Sequence, residues 1–112
     1  MQFKTYERGD IILVNFNPSL GHEQQGFRPG LVWTNRESQQ VSGFVSLFPI
    51  TSHDKNYPLH VNLKGRAGNT KGVVMTDQII SIDLEARSTK LVSHVSKELL
   101  QEVEEIFSEM TV

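Results

Sequence analysis

Cysteine is absent from the 112 residues. That removes disulfides, thiolate metal sites and cysteine nucleophiles together, and leaves stability to packing. No apolar run approaches the roughly 20 residues of a membrane-spanning helix. The amino terminus, Met1-Gln-Phe-Lys-Thr-Tyr6, lacks the apolar stretch of a secretory signal. No membrane association and a cytoplasmic location are therefore expected. Histidine occurs at 22, 53, 60 and 94, with no His-x-x-x-His or His-Glu-x-x-His spacing. Without cysteine ligands, that pattern supports no recognised metal site. Internal repeats, low-complexity segments and charged linkers are also missing, so the length fits a single domain over residues 1–112.

Hydrophobic residues make up 38% and charged residues 21%, the balance of a globular protein. The net charge of −2 is unevenly spread. Between Ser96 and Met110, five glutamates (98, 102, 104, 105 and 109) oppose Lys97 alone, giving −4 there and leaving +2 for the rest. A mildly basic body can hold a short polyanion, because a local patch and not the overall charge sets the electrostatic footprint.

Short Val, Ile, Leu and Phe runs bounded by turn residues set an all-β rhythm. Strands are predicted at Asp10 to Phe16, Pro29 to Thr34, Gly43 to Ile50, Leu59 to Leu63, Gly72 to Met75 and Lys90 to Val95. Breaks are predicted at Asn17-Pro18, Asn35 to Ser42, Ser52 to Pro58 and Lys64 to Lys71. So many short strands suggest a small barrel that protects its edges by curling. The period then changes: Leu99, Leu100, Val103, Ile106, Phe107 and Met110 recur at spacings of three and four, one face of an amphipathic helix. Ser96 can cap it, and Glu98 suits its positive end. A shorter helical turn is predicted at Thr76 to Ile80.

Between the first two strands, Gly21-His-Glu-Gln-Gln-Gly-Phe-Arg-Pro29 crowds an imidazole, a carboxylate, amides and a guanidinium into one connection. Function concentrates in such loops. Gly21 and Gly26 permit positive φ and close approach of a ligand, which makes convergence of Glu23 and Arg28 plausible. For RNA cleavage, a 2′-hydroxyl must lose a proton, a phosphorane must be clamped and the leaving oxygen must gain a proton. Arginine suits the clamp, since its planar fork meets phosphate oxygens bidentately. A free glutamate titrates near 4.3 and is a weak base unless burial raises it, so Glu23 could instead orient Arg28 or the nucleophile. The alternative is a surface ion pair closing the loop.

Thr51-Ser52-His53-Asp54-Lys55 follows an apolar run, and hydroxyls at a strand end can contact phosphate or sugar. The competing reading is an ordinary turn, with Ser52 and Asp54 bonded to nearby amides. His22 could touch RNA or move a proton, or be a hydrogen-bonded loop histidine, while His60 reads as a strand-face residue. Gln78 could read a base edge, or with Asp77 cap the following turn. Trp33, Phe44 and Phe48 read as core, leaving Phe27 as the stacking candidate.

In order and spacing, Arg8-Gly-Asp-Ile11, Phe16-Asn17-Pro18, Gly21-His22-Glu23-Gln24 through Arg28-Pro29, Pro49-Ile-Thr-Ser52, Tyr57-Pro58, Gly72-Val-Val74 and Asp77-Gln-Ile79 resemble the MazF/PemK toxins. These are sequence-selective endoribonucleases of type II toxin–antitoxin pairs, and the resemblance spans nearly the whole chain. It implies a mainly β, SH3-like barrel of CcdB/PemK type with a carboxyl-terminal helix, usually a homodimer. It also implies cleavage of single-stranded RNA without metal or cofactor, giving a cyclic or 3′ phosphate and a 5′-hydroxyl. A cognate antitoxin would cover the RNA groove with a flexible acidic segment. The family's carboxylate, arginine and catalytic threonine fall on Glu23, Arg28 and Thr51. Candidate RNA contacts are Asn17, His22, Gln24, Phe27, Ser52, Asp77 and Gln78, with no catalytic role for the Asp77-Gln78 block, because Thr76 precedes it. The rival reading is a protein-binding toxin resembling the CcdB gyrase poisons, which share the barrel but need no Glu–Arg loop.

Overall fold

The computed structural model describes residues 3–16 and 26–111. Seven strands and two helices follow in the order β1 (Asp10–Asn15), β2 (Phe27–Val32), α1 (Arg36–Ser42), β3 (Phe44–Thr51), β4 (His60–Asn62), β5 (Val73–Met75), β6 (Ile80–Asp83), β7 (Thr89–His94) and α2 (Lys97–Met110). All the strand pairings are antiparallel, running β4-β5-β3-β2-β1-β7, with β6 on β3. Among the described residues the sheet is barrel-like and does not close. The mainly β class with a terminal helix is as expected.

The apolar runs are continuous because both sheet faces are covered, and successive side chains on a strand point to opposite faces. Ile11 of β1, Leu31 of β2, and Phe48 and Ile50 of β3 enter one core, sealed by Leu99 and Val103 of α2. Ile12 and Val14, Val32, and Val45 and Leu47 enter a second core, completed by Tyr6, Ile82 and Leu84. A register shift between Ile11 and Ile12 against β7 lies where the two cores divide. Ser96 caps α2, its hydroxyl oxygen accepting from the Leu99 N–H at 3.2 Å. Trp33 and Phe107 meet Phe48 edge to face at centroid distances of 5.2 and 5.3 Å.

Several sequence expectations need correction. Asn35 to Ser42, read as a break, contains α1, capped by the Asn35 side chain and ended by Gly43 at φ 78°. Its buried residue is Gln39, whose Oε1 accepts from the Tyr6 N–H at 2.7 Å while its Nε2 donates to the carbonyls of Tyr6 and Thr34. The helix thus pins the amino-terminal segment over the second core. Thr76 to Ile80 forms a tight turn and not a helical one, closed by the Gln78 N–H on the Met75 carbonyl, and Ile80 starts β6. Phe44, expected in the core, is 48% exposed.

Candidate functional site: a groove around Arg28 and Thr51

Strand β2 begins two residues earlier than predicted, so Phe27 and Arg28 stand on the sheet and not in the loop. Arg28 pairs with Val14 of β1, which fixes its backbone. On the other side, β2 and β3 are in register from Val32↔Leu47 to Gly30↔Pro49. Arg28 and Thr51 each lie two residues past that last rung, at the same end of adjacent strands. Thr51 is held in turn by its pairing with Val73 of β5. Gly72, at φ 120°, lets this strand close: a β-carbon there would stand 2.6 Å from the Thr51 carbonyl oxygen.

Arg28 and Thr51 line one groove of about 510 Å³, together with Phe16, Phe27, Pro29, Pro49, Ile50, Ser52, His53, Lys71 and Met75. A second depression of about 420 Å³ shares Thr51, His53 and Met75 with it and adds Lys55, Tyr57, His60, Asp77 and Gln78. Thr51 therefore sits where the two depressions meet. Against three ammonium or guanidinium groups, Asp77 is the sole carboxylate lining either depression among the described residues. A cationic surface on a chain of net charge −2 is a local focus for polyanions.

Among the described residues, Arg28 differs from the other arginines in being unengaged. Arg8 pairs with Glu104 and stacks on Trp33, Arg36 donates to the Thr5 carbonyl, Arg66 pairs with Glu102, and Arg87 donates to the Phe16 carbonyl. Among the described residues, Arg28 has no hydrogen bond or ion pair, and its exposed side chain is free for a ligand. The half-buried Thr51 accepts from the His53 N–H at 3.2 Å through Oγ1, which leaves its hydroxyl proton to donate into the groove. So Thr51, and not Ser52, makes the turn bond, and exposed Ser52 is available to phosphate or sugar. Asp54 behaves as the turn reading expects, accepting from the Asn56 N–H at 2.9 Å.

Phe27 is exposed at the groove rim beside Phe16, as a stacking platform must be. Asp77 and Gln78 reach the second depression, and the turn they occupy is closed by backbone, so neither side chain is needed as a cap. Thr76 is buried and donates to the Leu59 carbonyl. Glu23, His22, Gln24 and Asn17 lie outside the described residues. Sequence reasoning missed His53, Lys55, Lys71 and His60 as lining groups. His60 opens β4, a strand residue as expected, and packs against Tyr57 at 5.1 Å with its Nδ1 buried and without a hydrogen-bond partner among the described residues. The Tyr57-Pro58 block was the available signal for that wall. Elsewhere, Glu7, Asp10 and His94 bring donor atoms within 4.8 Å of one another. Both Asp10 oxygens are engaged there, by His94 Nδ1 at 2.7 Å and the Glu7 N–H at 2.9 Å, which staples β7 to β1.

The family model of the PemK-like, MazF-like toxins of type II toxin–antitoxin systems matches residues 7–111. The chain belongs to that toxin family. Relatives of this PemK/MazF chain include endoribonuclease PemK of Escherichia coli, 38% identical over 87% of this chain and 75% of its own. Endoribonuclease toxin ChpB of Escherichia coli K12 is 37% identical over 87% and 86% of the two chains. Among solved structures, a chain of the MazE-MazF crystal structure (Form-II) from Deinococcus radiodurans superposes with a TM-score of 0.82 and 27% identity, covering 96% of each chain. The open barrel and terminal helix are thus a PemK/MazF fold.

Proposed function

We propose that this PemK/MazF protein is a metal-independent endoribonuclease that cuts single-stranded mRNA as the growth-inhibiting toxin of a type II pair. The observation that carries this reading is Arg28: an unengaged guanidinium on a rigid strand, in one groove with the Thr51 hydroxyl, in a family whose relatives are named endoribonucleases. The 2′-oxygen attacks the adjacent phosphorus, its proton passes to a base, the P–O5′ bond breaks, and the 5′-oxygen takes up a proton. The products are a 2′,3′-cyclic phosphate, which addition of water across its P–O2′ bond opens to a 3′ phosphate, and a 5′-hydroxyl. Arg28 clamps the non-bridging oxygens as charge builds, while Thr51 donates to the phosphorane or to the departing oxygen. Glu23 is proposed to accept the 2′-proton or to orient Arg28.

Phe27 stacks a base, Ser52 meets phosphate or sugar, and Asp77 and Gln78 read base edges. Asn17, His22 and Gln24 complete the RNA contacts. The MazE-MazF complexes among its structural relatives support an antitoxin partner, and an acidic segment suits the cationic groove. The protein works as a homodimer of single-domain chains spanning residues 1–112, which lengthens a groove too short for several nucleotides. Exposed Phe44, Leu91 and Val92 offer apolar surface for that contact. Sedimentation at equilibrium checks it. A cytoplasmic location follows from an mRNA substrate, and no helix among the described residues is long and apolar enough to cross a membrane. Nothing in the groove or the relatives favours the gyrase-poison reading.

Incubation of the pure protein with a diverse single-stranded RNA pool in EDTA tests the proposal. Discrete fragments with 5′-hydroxyl ends are expected. An uncut pool at every enzyme ratio rules the nuclease out, and inhibition of gyrase in a parallel relaxation assay would favour the rival toxin class.

A further inference from the structure

Lys71 lines the same groove as Arg28 and Thr51, and no carboxylate pairs with it among the described residues. It lies in the connection between β4 and β5, where loops are ordinarily loose. This one is tied down at both ends. The Leu63 N–H donates to the Gly72 carbonyl at 2.9 Å, the Thr70 N–H to the Ala67 carbonyl at 3.0 Å, and the Thr70 hydroxyl meets Ser93 at 2.9 Å. Gly72 then packs its backbone against the Thr51 carbonyl, in contact that any side chain would obstruct. The ammonium is therefore carried by a braced segment that touches the backbone of the site's own threonine.

From this placement we infer that Lys71 is a second phosphate ligand of the groove, holding a non-bridging oxygen of a phosphate next to the scissile one. The inference rests on the reading of the groove as an RNA site and adds a binding register to it. The chemistry divides the labour between the cations. A guanidinium fork matches the two equatorial oxygens of a phosphorane, while an ammonium is a compact point charge that suits a phosphate undergoing no reaction. Lys71 is a positioning residue: it acts on binding and leaves the bond-breaking step alone. Each neutralised phosphate on a single strand changes the slope of log K against log salt by about 0.7, so loss of one contact weakens binding about fivefold at 0.1 M salt, relative to 1 M.

The test uses the full chain and a short fluorescein-labelled single strand of a sequence the wild type cuts, with every 2′-hydroxyl replaced by hydrogen so that it cannot be cleaved. Anisotropy titrations across a salt series are compared for wild type, Lys71→Ala, Lys71→Arg and Lys64→Ala, a lysine in the same connection that does not line the groove. Lys71→Ala is expected to bind about fivefold more weakly at 0.1 M salt with a shallower slope, while its cleavage rate at saturating RNA is unchanged. Lys71→Arg restores affinity, and Lys64→Ala behaves as wild type. Equal affinity and slope for Lys71→Ala overturns the inference, as does a lost cleavage rate with affinity intact. A wild type that binds and cuts in those cases leaves the nuclease reading standing, whereas one that neither binds nor cuts removes both.

Discussion

Replacing Gly72 by alanine puts a methyl group where the backbone of β3 already stands. The added carbon would lie 2.6 Å from the Thr51 carbonyl oxygen and 3.1 Å from Ile50 Cγ2, at a φ of 120°. The oxygen belongs to a paired strand, so relief comes from parting β5 and β3 and not from a swinging side chain. Reaching even 3.0 Å, below which real β-carbons are essentially never found, requires an opening of about 0.4 Å. Holding a side-chain-bearing residue in a sparsely populated backbone region costs of order 1–3 kcal/mol. At roughly 4–8 °C per kcal/mol for a domain near this size, the melting temperature should fall by about 4–24 °C. Thr51 should move with its strand, and since a shift of about 1 Å in a reacting group can cost about 10²-fold, a loss of roughly tenfold in single-turnover RNA cleavage is expected. Gly65→Ala separates the two causes, because Gly65 also has positive φ, at 68°, but meets nothing within 4 Å. That variant should lose stability and keep its cleavage rate. Calorimetry and rapid-quench cleavage on both variants give the result. A Gly72→Ala protein that melts and cuts like wild type would refute the account of how Thr51 is held.

Other substitutions probe the remaining parts. Leu99→Ala empties a fully buried position in the core beneath α2 and should cost about 2–5 kcal/mol in urea denaturation. Gln39→Ala leaves the Tyr6 N–H, the Tyr6 carbonyl and the Thr34 carbonyl without their partner and should cost about 1–3 kcal/mol, with amide exchange at Tyr6 accelerated. Phe27→Ala removes an exposed ring from the groove and should weaken binding of uncleavable RNA by about 1–3 kcal/mol while the melting temperature holds.

Strands β1, β3 and β7 and helix α2 were legible because their signals are local: β-branched runs between turn residues, and apolar spacings of three and four behind a serine cap. Helix α1 was not, since its inward residue is an amide and its Val41 is 90% exposed, so no apolar stripe marks it. Asn35 and Gly43, a cap and a left-handed stop, were the only local clues. Strand β6 was lost for a related reason. It is four residues long with Ile82 alone buried, and it exists through its pairing with β3. The site was legible by resemblance more than by physics. Residue chemistry in the first loop pointed to Arg28, but nothing local joins positions 28 and 51; the β2–β3 register does. Lys71 carried no motif at all, and it enters the groove only because Gly72 brings its segment against Thr51.

The most direct measurement is the single-turnover cleavage rate of Arg28→Ala in EDTA beside its melting curve. Arg28 is exposed and unengaged, so its loss should shift stability by no more than about 0.5 kcal/mol. Loss of a preorganised charge donor should lower the rate by about 10²–10³. A folded variant that cuts RNA as fast as wild type would contradict the assignment of this groove as the place where the phosphodiester is broken.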